Sequence, residues 1–202
     1  MSKNISKIIY INLNKRTDRR EQIEKELNDF NLPFERFEAI ETHGFGIVGC
    51  GKSHLNVLKI ARDRNYENIL ILEDDFTFLV SKEEFENQLT NFFNLNIEYD
   101  VCMLSYNLIR HENTSYNFIV KALEVQTASG YIVNKKYYSK LIDLYEVAMP
   151  LLEQTRQHWI YANDQIWKQY QEKDNWYCFL TRIGRQLPGY SDNGQSYCDN
   201  NC

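Results

Sequence analysis

The sequence predicts an α/β protein, a single mostly parallel (mixed) sheet flanked by helices. Near-continuous apolar runs at Lys7–Leu13, Asn68–Leu72 and Tyr99–Tyr106 read as strands buried on both faces, as in the middle of a parallel sheet. Between them, apolar residues recur at helical spacing. A length of 202 residues with 43% hydrophobic and 25% charged content suits one packed domain over residues 1–202, with a loop-like tail at about 193–202.

The elements follow in order. After the strand Lys7–Leu13, Asp18 and Glu21 have the spacing of a capping box, and Ile23, Leu27 and Phe30 form the inner stripe of a first helix. Asn31-Leu32-Pro33 stops it, and Phe34–Ile40 supplies a second strand, completing a βαβ unit. Thr42–Gly51 carries four glycines, where backbone can approach a ligand closely. A helix is expected from about Ser53 to Ala61, then the strand Asn68–Asp75. Phe85, Leu89 and Phe92 mark a helix over Lys82–Phe93, and Tyr99–Tyr106 is the next strand. His111–Asn117 reads as a loop, and Phe118–Val125 and Ser129–Val133 as two short strands around a turn near Thr127. A helix over Lys135–Tyr145 should end by Met149-Pro150. Another spans Asp164–Gln171, a last strand runs over Trp176–Thr181, and the chain is loop-like from Gly184.

Composition excludes some functions. A net charge of −5 argues against nucleic-acid binding through a basic surface. No run reaches the roughly 18 apolar residues of a membrane span, and no secretory signal is evident at the N-terminus, so a cytoplasmic protein is expected. Cys50, Cys102 and Cys178 read as reduced thiols, while Cys198 and Cys202 lack further ligands nearby for a metal.

The chemistry concentrates at Glu73-Asp74-Asp75, three carboxylates at the end of an apolar strand. Open α/β sheets bind ligands at such strand ends. On an extended chain Glu73 and Asp75 point to one side and can share a divalent cation, with Asp74 turned away; the same acids can instead cap the next helix or loop. Gly46–Ser53 also fits the phosphate-loop pattern G-x-x-x-x-G-K-[ST], with Asp74 as a magnesium-holding partner, which would make the chain a nucleoside-triphosphate hydrolase. Against this, the pattern does not directly follow a strand.

Several pieces occur in a fixed order: Ile11-Asn12-Leu13, Arg16-Thr17-Asp18-Arg19-Arg20, Phe34–Ile40, Gly49-Cys50-Gly51-Lys52-Ser53-His54 and Ile71–Asp75. Thr127–Tyr131, Asp164-Gln165-Ile166-Trp167 and Gly189-Tyr190-Ser191-Asp192 follow. This set, covering residues from about 7 to 192, resembles glycosyltransferase family 25, which includes lipopolysaccharide glycosyltransferases and procollagen galactosyltransferases. Lys52 is a departure from the pattern and creates the phosphate-loop lookalike.

The resemblance implies a GT-A fold, with a Rossmann-like sheet and a nucleotide-sugar site at its strand ends. It implies Mn²⁺ (or Mg²⁺) held by Asp75 and Glu73 against the diphosphate of a UDP-sugar, with Asp192 as a further ligand and His111 or His158 as alternatives. Oxygen ligands suit these ions. Asp192 reads equally as a turn residue. Asp74 stays in the donor site alongside. Asn12, Thr17, Arg20, Ala39 and Glu41 would meet uracil and ribose, and Lys52 and Ser53, at a helix start, would meet phosphate. Ala128, Ser129 and Gly130 lie where the donor sugar is expected, and Arg182 and Arg185 where cations could meet diphosphate. Asp164 is the candidate base for the acceptor hydroxyl, or alternatively a helix cap. The function implied is inverting transfer of a hexose (galactose or glucose) to a hydroxyl of a saccharide or a hydroxylysine-type, collagen-like peptide. A non-catalytic nucleotide-sugar-binding module is the other reading, and oligomeric state stays open.

Overall fold

The structure, a computed structural model, describes residues 4–191, 196–199 and 202. The chain starts with β1 (Lys7–Asn12), α1 (Thr17–Asp29) and β2 (Glu35–Glu38), followed by α2 (Gly46–Asp63) and β3 (Asn68–Glu73). Next come β4 (Phe76–Phe78), α3 (Lys82–Asn94), β5 (Val101–Asn113), β6 (Ile119–Asn134) and α4 (Tyr138–Thr155). Three short helices, α5 (His158–Tyr161), α6 (Asn163–Ile166) and α7 (Lys168–Gln171), lead to β7 (Trp176–Phe179), β8 (Gly184–Gln186), β9 (Gly189–Ser191) and β10 (Ser196–Cys198).

The central sheet has the order β2-β1-β3-β6-β5-β7. β1 is parallel to both β2 and β3, and β5 is parallel to β7, while β6 runs antiparallel to β3 and β5. Every strand of this sheet but β6 therefore points the same way. The period-2 alternation of a strand divides its side chains between two cores. Ile9, Ile11, Ile69 and Ile71 pack with Val57, Leu58 and Ala61 of α2 and Leu141, Ile142 and Tyr145 of α4. Ile8, Tyr10, Leu70 and Leu72 pack on the other face with Ile23 and Leu27 of α1 and Phe85, Leu89 and Phe92 of α3. Burial on both faces is why β1 and β3 read as unbroken apolar runs.

Several sequence expectations change, and the helix expected over Asp164–Gln171 is two short helices, α6 and α7. Asp18 does not cap α1: the N-cap is Arg16, and the Arg16 guanidinium takes the Asp18 carboxylate at 2.8 Å, holding its pKa down to about 2. The two short strands around Thr127 are one strand, β6, in which Thr127 adopts φ 83°. Register shifts in the pairing with β5 absorb the irregularity as bulges, so the ladder continues through the polar stretch. β5 likewise extends to Asn113, into the segment read as a loop. Pro150 lies inside α4 instead of ending it. Ala148, Met149 and Leu152 are buried around it, and that packing outweighs the one backbone bond proline cannot make. The segment from Gly184, including part of the expected tail loop, is not all loop: β8 pairs with β4, and β10 with β9.

The largest change concerns α2, which begins at Gly46 and not near Ser53. The residues of the phosphate-loop pattern are thus helical, and Gly49 and Gly51 among them serve packing. A Cβ on Gly49 would lie 2.2 Å from the Ile40 carbonyl oxygen, and one on Gly51 2.2 Å from Met149 Sδ. Gly49→Ala is expected to destabilise the protein by about 1–3 kcal/mol, because backbone must move, and Gly51→Ala by less, because Met149 can change rotamer. Urea unfolding of the two variants checks both the sign and the order.

Candidate active site

The chain passes from β3 straight into a turn at Asp74 and Asp75. The strand alternation therefore ends at Glu73, and the three carboxylates take separate partners. Glu73 Oε1 meets His54 Nε2 at 3.0 Å and accepts from Cys50 Sγ at 3.4 Å, while Gln186 Nε2 donates to Oε2 at 3.3 Å. Asp74 Oδ2 accepts from Asn12 Nδ2 at 2.7 Å. Arg19 Nη1 bridges Asp74 Oδ1 at 3.1 Å and Asp75 Oδ2 at 3.0 Å, so Asp74 is not turned away from Asp75 as an extended chain would have it. Among the described residues, Asp75 Oδ1 is buried without a hydrogen-bond partner.

The electrostatics differ across the triple. Burial pushes Glu73 up, but the hydrogen bond and charge of His54 outweigh it and leave the carboxyl below its usual range. Burial raises Asp74 against the opposing hydrogen bond from Asn12 and the charge of Arg19. Asp75 is pushed up to about 7, by burial first and then by the Glu73 charge. A half-buried carboxylate whose enclosed oxygen has no partner among the described residues, beside a second negative charge, is a position that a cation would stabilise. The oxygen-donor set of Asp75 and Glu73 fits a hard divalent ion on that ground.

These carboxylates line a cavity of about 960 Å³ at the carboxyl ends of β1 and β3. Its walls come from the loop after β2 (Ala39, Ile40, Glu41), the start of α2, the β6 bulge at Thr127, and Asp164 on α6. Asp164 does not cap its helix, since α6 has no side-chain cap. It reaches across to β6, where Oδ2 accepts the Thr127 N–H at 3.1 Å. Burial raises its pKa, with the Thr127 N–H opposing. A non-glycine residue at positive φ costs about 1–3 kcal/mol and persists only where its surroundings hold it. Here the Asp164 carboxylate supplies part of that hold.

The remaining expected residues divide by place. Ala39 and Glu41 line the cavity, Glu41 paired with Lys15 at 2.7 Å. Asn12 is buried behind it, anchoring Asp74. Thr17 sits in the first turn of α1 and does not line the cavity. Arg20 turns to Glu24 at 2.9 Å and does not line the cavity, whereas Arg19 does. Arg19, Ile23 and Leu27 are four residues apart on one face of α1, so the helical stripe identifies the inward arginine. Lys52 and Ser53 do not line the cavity either. Lys52 pairs with Glu153 of α4 at 2.8 Å, and Ser53 Oγ accepts the Ile40 N–H at 2.8 Å while donating to the Gly49 carbonyl. Being a full turn or more inside α2, they offer no free N–H groups to phosphate. Lys52→Ala is expected to leave ligand binding unchanged and to shift stability by no more than about 1 kcal/mol, by thermal melting with and without nucleotide.

Ala128 lines the cavity, whereas Ser129 is hydrogen-bonded to Ser105 and Gly130 packs on Phe76. His111 and His158 do not line it. Arg182 donates to the Tyr106 carbonyl at 3.3 Å, and neither it nor Arg185 lines the cavity. Asp192 lies outside the described residues; Gly189 and Tyr190, shortly before it, line the cavity. Trp167 and Trp176 are core residues packed edge-to-face, and Trp159 is exposed. Sequence reasoning missed the Cys50–His54–Glu73 contact and Gln186. The spacing of Cys50 and His54, one turn apart on α2, was a legible signal.

A mostly parallel sheet with one reversed strand, and a cavity with clustered carboxylates at the end of its central strand, define a GT-A-type fold. The sequence profile of glycosyltransferase family 25 (LPS biosynthesis protein) matches residues 5–46 and 43–167, and the chain belongs to that family. A protein of Acanthamoeba polyphaga mimivirus named as a glycosyltransferase is 39% identical over 106 residues, which is 42% of this chain and 32% of that protein. The chain thus matches about a third of that relative's length. Among solved structures, mannose-1-phosphate geranyltransferase from Thermus thermophilus superposes with a TM-score of 0.52 at 8% identity, over 89% of this chain and 75% of that one, a likeness of fold alone. A glycosyltransferase involved in glycosylation of the major capsid of PBCV-1 gives 0.45 at 11% identity, over 87% and 92%. Among the described residues, no helix is long and apolar enough to cross a membrane.

Proposed function

We propose that this chain is a metal-dependent glycosyltransferase that moves a hexose, galactose or glucose, from a UDP-sugar to a hydroxyl of a saccharide or collagen-like peptide acceptor, with inversion. The observation that carries the reading is the enclosed Asp75 Oδ1 beside Glu73, without a hydrogen-bond partner among the described residues, in a cavity whose other wall holds Asp164. Asp75 and Glu73 would hold Mn²⁺ or Mg²⁺, with Asp192 as a further ligand. The ion would supply positive charge to the donor diphosphate and the departing UDP.

The chain's own residues do the rest. Arg19 clamps the Asp74-Asp75 turn, and Asn12 fixes Asp74, so the carboxylates are held before a donor arrives. Ala39, Ile40 and Glu41, with Ile11 and Leu13, form the wall suited to the uridine. Asp164 accepts the proton of the acceptor hydroxyl as that oxygen attacks the anomeric carbon. The Thr127 N–H fixes the carboxylate and leaves it anionic once deprotonated.

Thermal melting with nucleotides tests the donor assignment. UDP and a UDP-hexose should raise the melting temperature in the presence of Mn²⁺ and much less without it. Stabilisation by ATP but by no uridine nucleotide would reject the proposal.

A further inference from the structure

Below the Asp75 end of the cavity lies a cluster that the transfer reaction does not require. Cys50 and His54 stand one turn apart on α2, and both side chains converge on Glu73 at the end of β3. Cys50 Sγ, His54 Nε2 and a Glu73 carboxylate oxygen all lie within 4.8 Å of one another. We propose that Cys50, His54 and Glu73 form a binding site for a thiophilic divalent ion of the zinc type, with its fourth position open to the cavity.

The distances suit such an ion. Zinc bonds of about 2.0 Å to nitrogen and oxygen and about 2.3 Å to sulfur place tetrahedral ligands roughly 3.3 Å (N to O) and 3.5 Å (S to O) apart. The observed separations are 3.0 Å from His54 Nε2 to Glu73 Oε1 and 3.4 Å from Cys50 Sγ to the same oxygen. Two edges of the site thus lie within a few tenths of an ångström of tetrahedral values, and the third, from Cys50 Sγ to the His54 ring nitrogen, is within 4.8 Å. The ring of His54 is fully buried, and its Nδ1 lies 2.8 Å from the Tyr131 hydroxyl, so a partner behind the ring fixes its orientation, as such partners do for metal-ligating histidines. Cys50 and Glu73 both line the cavity, which leaves a path for the ion and room for water or a substrate oxygen as fourth ligand.

The ligand set also sets the selectivity. Thiolate and imidazole favour zinc, cobalt and their like over magnesium and manganese, which prefer oxygen alone. On binding, the Cys50 thiol gives its proton to solvent. His54 likewise releases its Nε2 proton to solvent and keeps one, on Nδ1, donated to the Tyr131 hydroxyl oxygen, so that Nε2 presents its lone pair. This site shares Glu73 with the proposed donor-metal site but does not include Asp75, and it does not depend on the transferase reading.

Cobalt(II) serves as the probe, because a thiolate–cobalt bond gives a near-ultraviolet charge-transfer absorption. The purified, metal-stripped chain titrated with Co²⁺ should develop this band to a stoichiometric end point, and Zn²⁺ should abolish it. The band should be lost in Cys50→Ala and kept in Asp75→Asn, with circular dichroism confirming that both variants are folded. A chain that gives no band, a band that survives Cys50→Ala, or one that disappears with Asp75→Asn overturns the proposal. Because the readout is metal binding alone, it stands or falls separately from any assay of sugar transfer.

Discussion

Asp75→Asn is expected to lower sugar transfer by about 10²–10³-fold, the scale of losing one preorganised electrostatic contact to the developing charge. Stability should not fall with it. Asp75 is half-buried, its enclosed Oδ1 has no partner among the described residues, and Glu73 and Asp74 add repulsion that Arg19 offsets only in part. Removing that charge from the metal-free protein relieves a cost, so the melting temperature should stay level or rise. This pairing of lost activity with kept stability separates a ligand position from a structural salt bridge. Breaking a needed buried ion pair by removing one partner typically costs about 3–5 kcal/mol. The checks are initial rates with saturating donor and melting curves without metal.

Asp164→Asn is the second large effect. Loss of a general base typically costs about 10²–10⁴-fold in turnover. The pH profile distinguishes this from a packing defect. Burial raises the Asp164 pKa, so the protonated, inactive form persists to higher pH than for an ordinary aspartate near 3.9. Turnover should thus fall as pH drops through that raised value, and the acid limb should vanish in the variant. An asparagine oxygen can still accept the Thr127 N–H, so the strained β6 backbone should stay in place. An unchanged acid limb in Asp164→Asn would assign that titration to another group.

Much of the architecture was legible because β1 and β3 are buried on both faces. Such strands must be apolar throughout, and the first carboxylates after them must lie where the sheet ends. The helical stripes of α1 and α3 were equally plain, since Ile23 and Leu27, and Phe85, Leu89 and Phe92, each face one core. What was hidden depended on tertiary contacts. Glycines within Gly46–Ser53 suggested an irregular loop, yet Gly49 and Gly51 are there because the Ile40 carbonyl and Met149 leave no room for a Cβ. The bulge at Thr127 is held by Asp164, 37 residues away, so no local pattern could announce it. Pro150 is tolerated for the same kind of reason, through burial of its neighbours.

Within the site, residue type was easier to read than direction. Glu73, Asp74, Asp75 and Asp164 do line one cavity. Strand alternation misplaced Asp74, because the turn begins one residue before the acids end. Both Arg19 and Arg20 stand in the sequence run after β1, and spacing from Ile23 and Leu27 shows that Arg19 faces the cavity. Lys52 and Ser53 look like a helix start in sequence, but α2 begins at Gly46, seven residues before Ser53.

In the proposed reaction, the Asp75–Glu73 end of the cavity serves a metal-bound uridine diphosphate sugar. The most direct measurement is release of UDP from a panel of UDP-sugars, without acceptor, with and without Mn²⁺. Slow release from UDP-galactose or UDP-glucose that requires the metal and disappears in Asp75→Asn is the expected result. Release that is independent of metal and unaffected by Asp75→Asn, or the absence of release from every UDP-sugar, would contradict it.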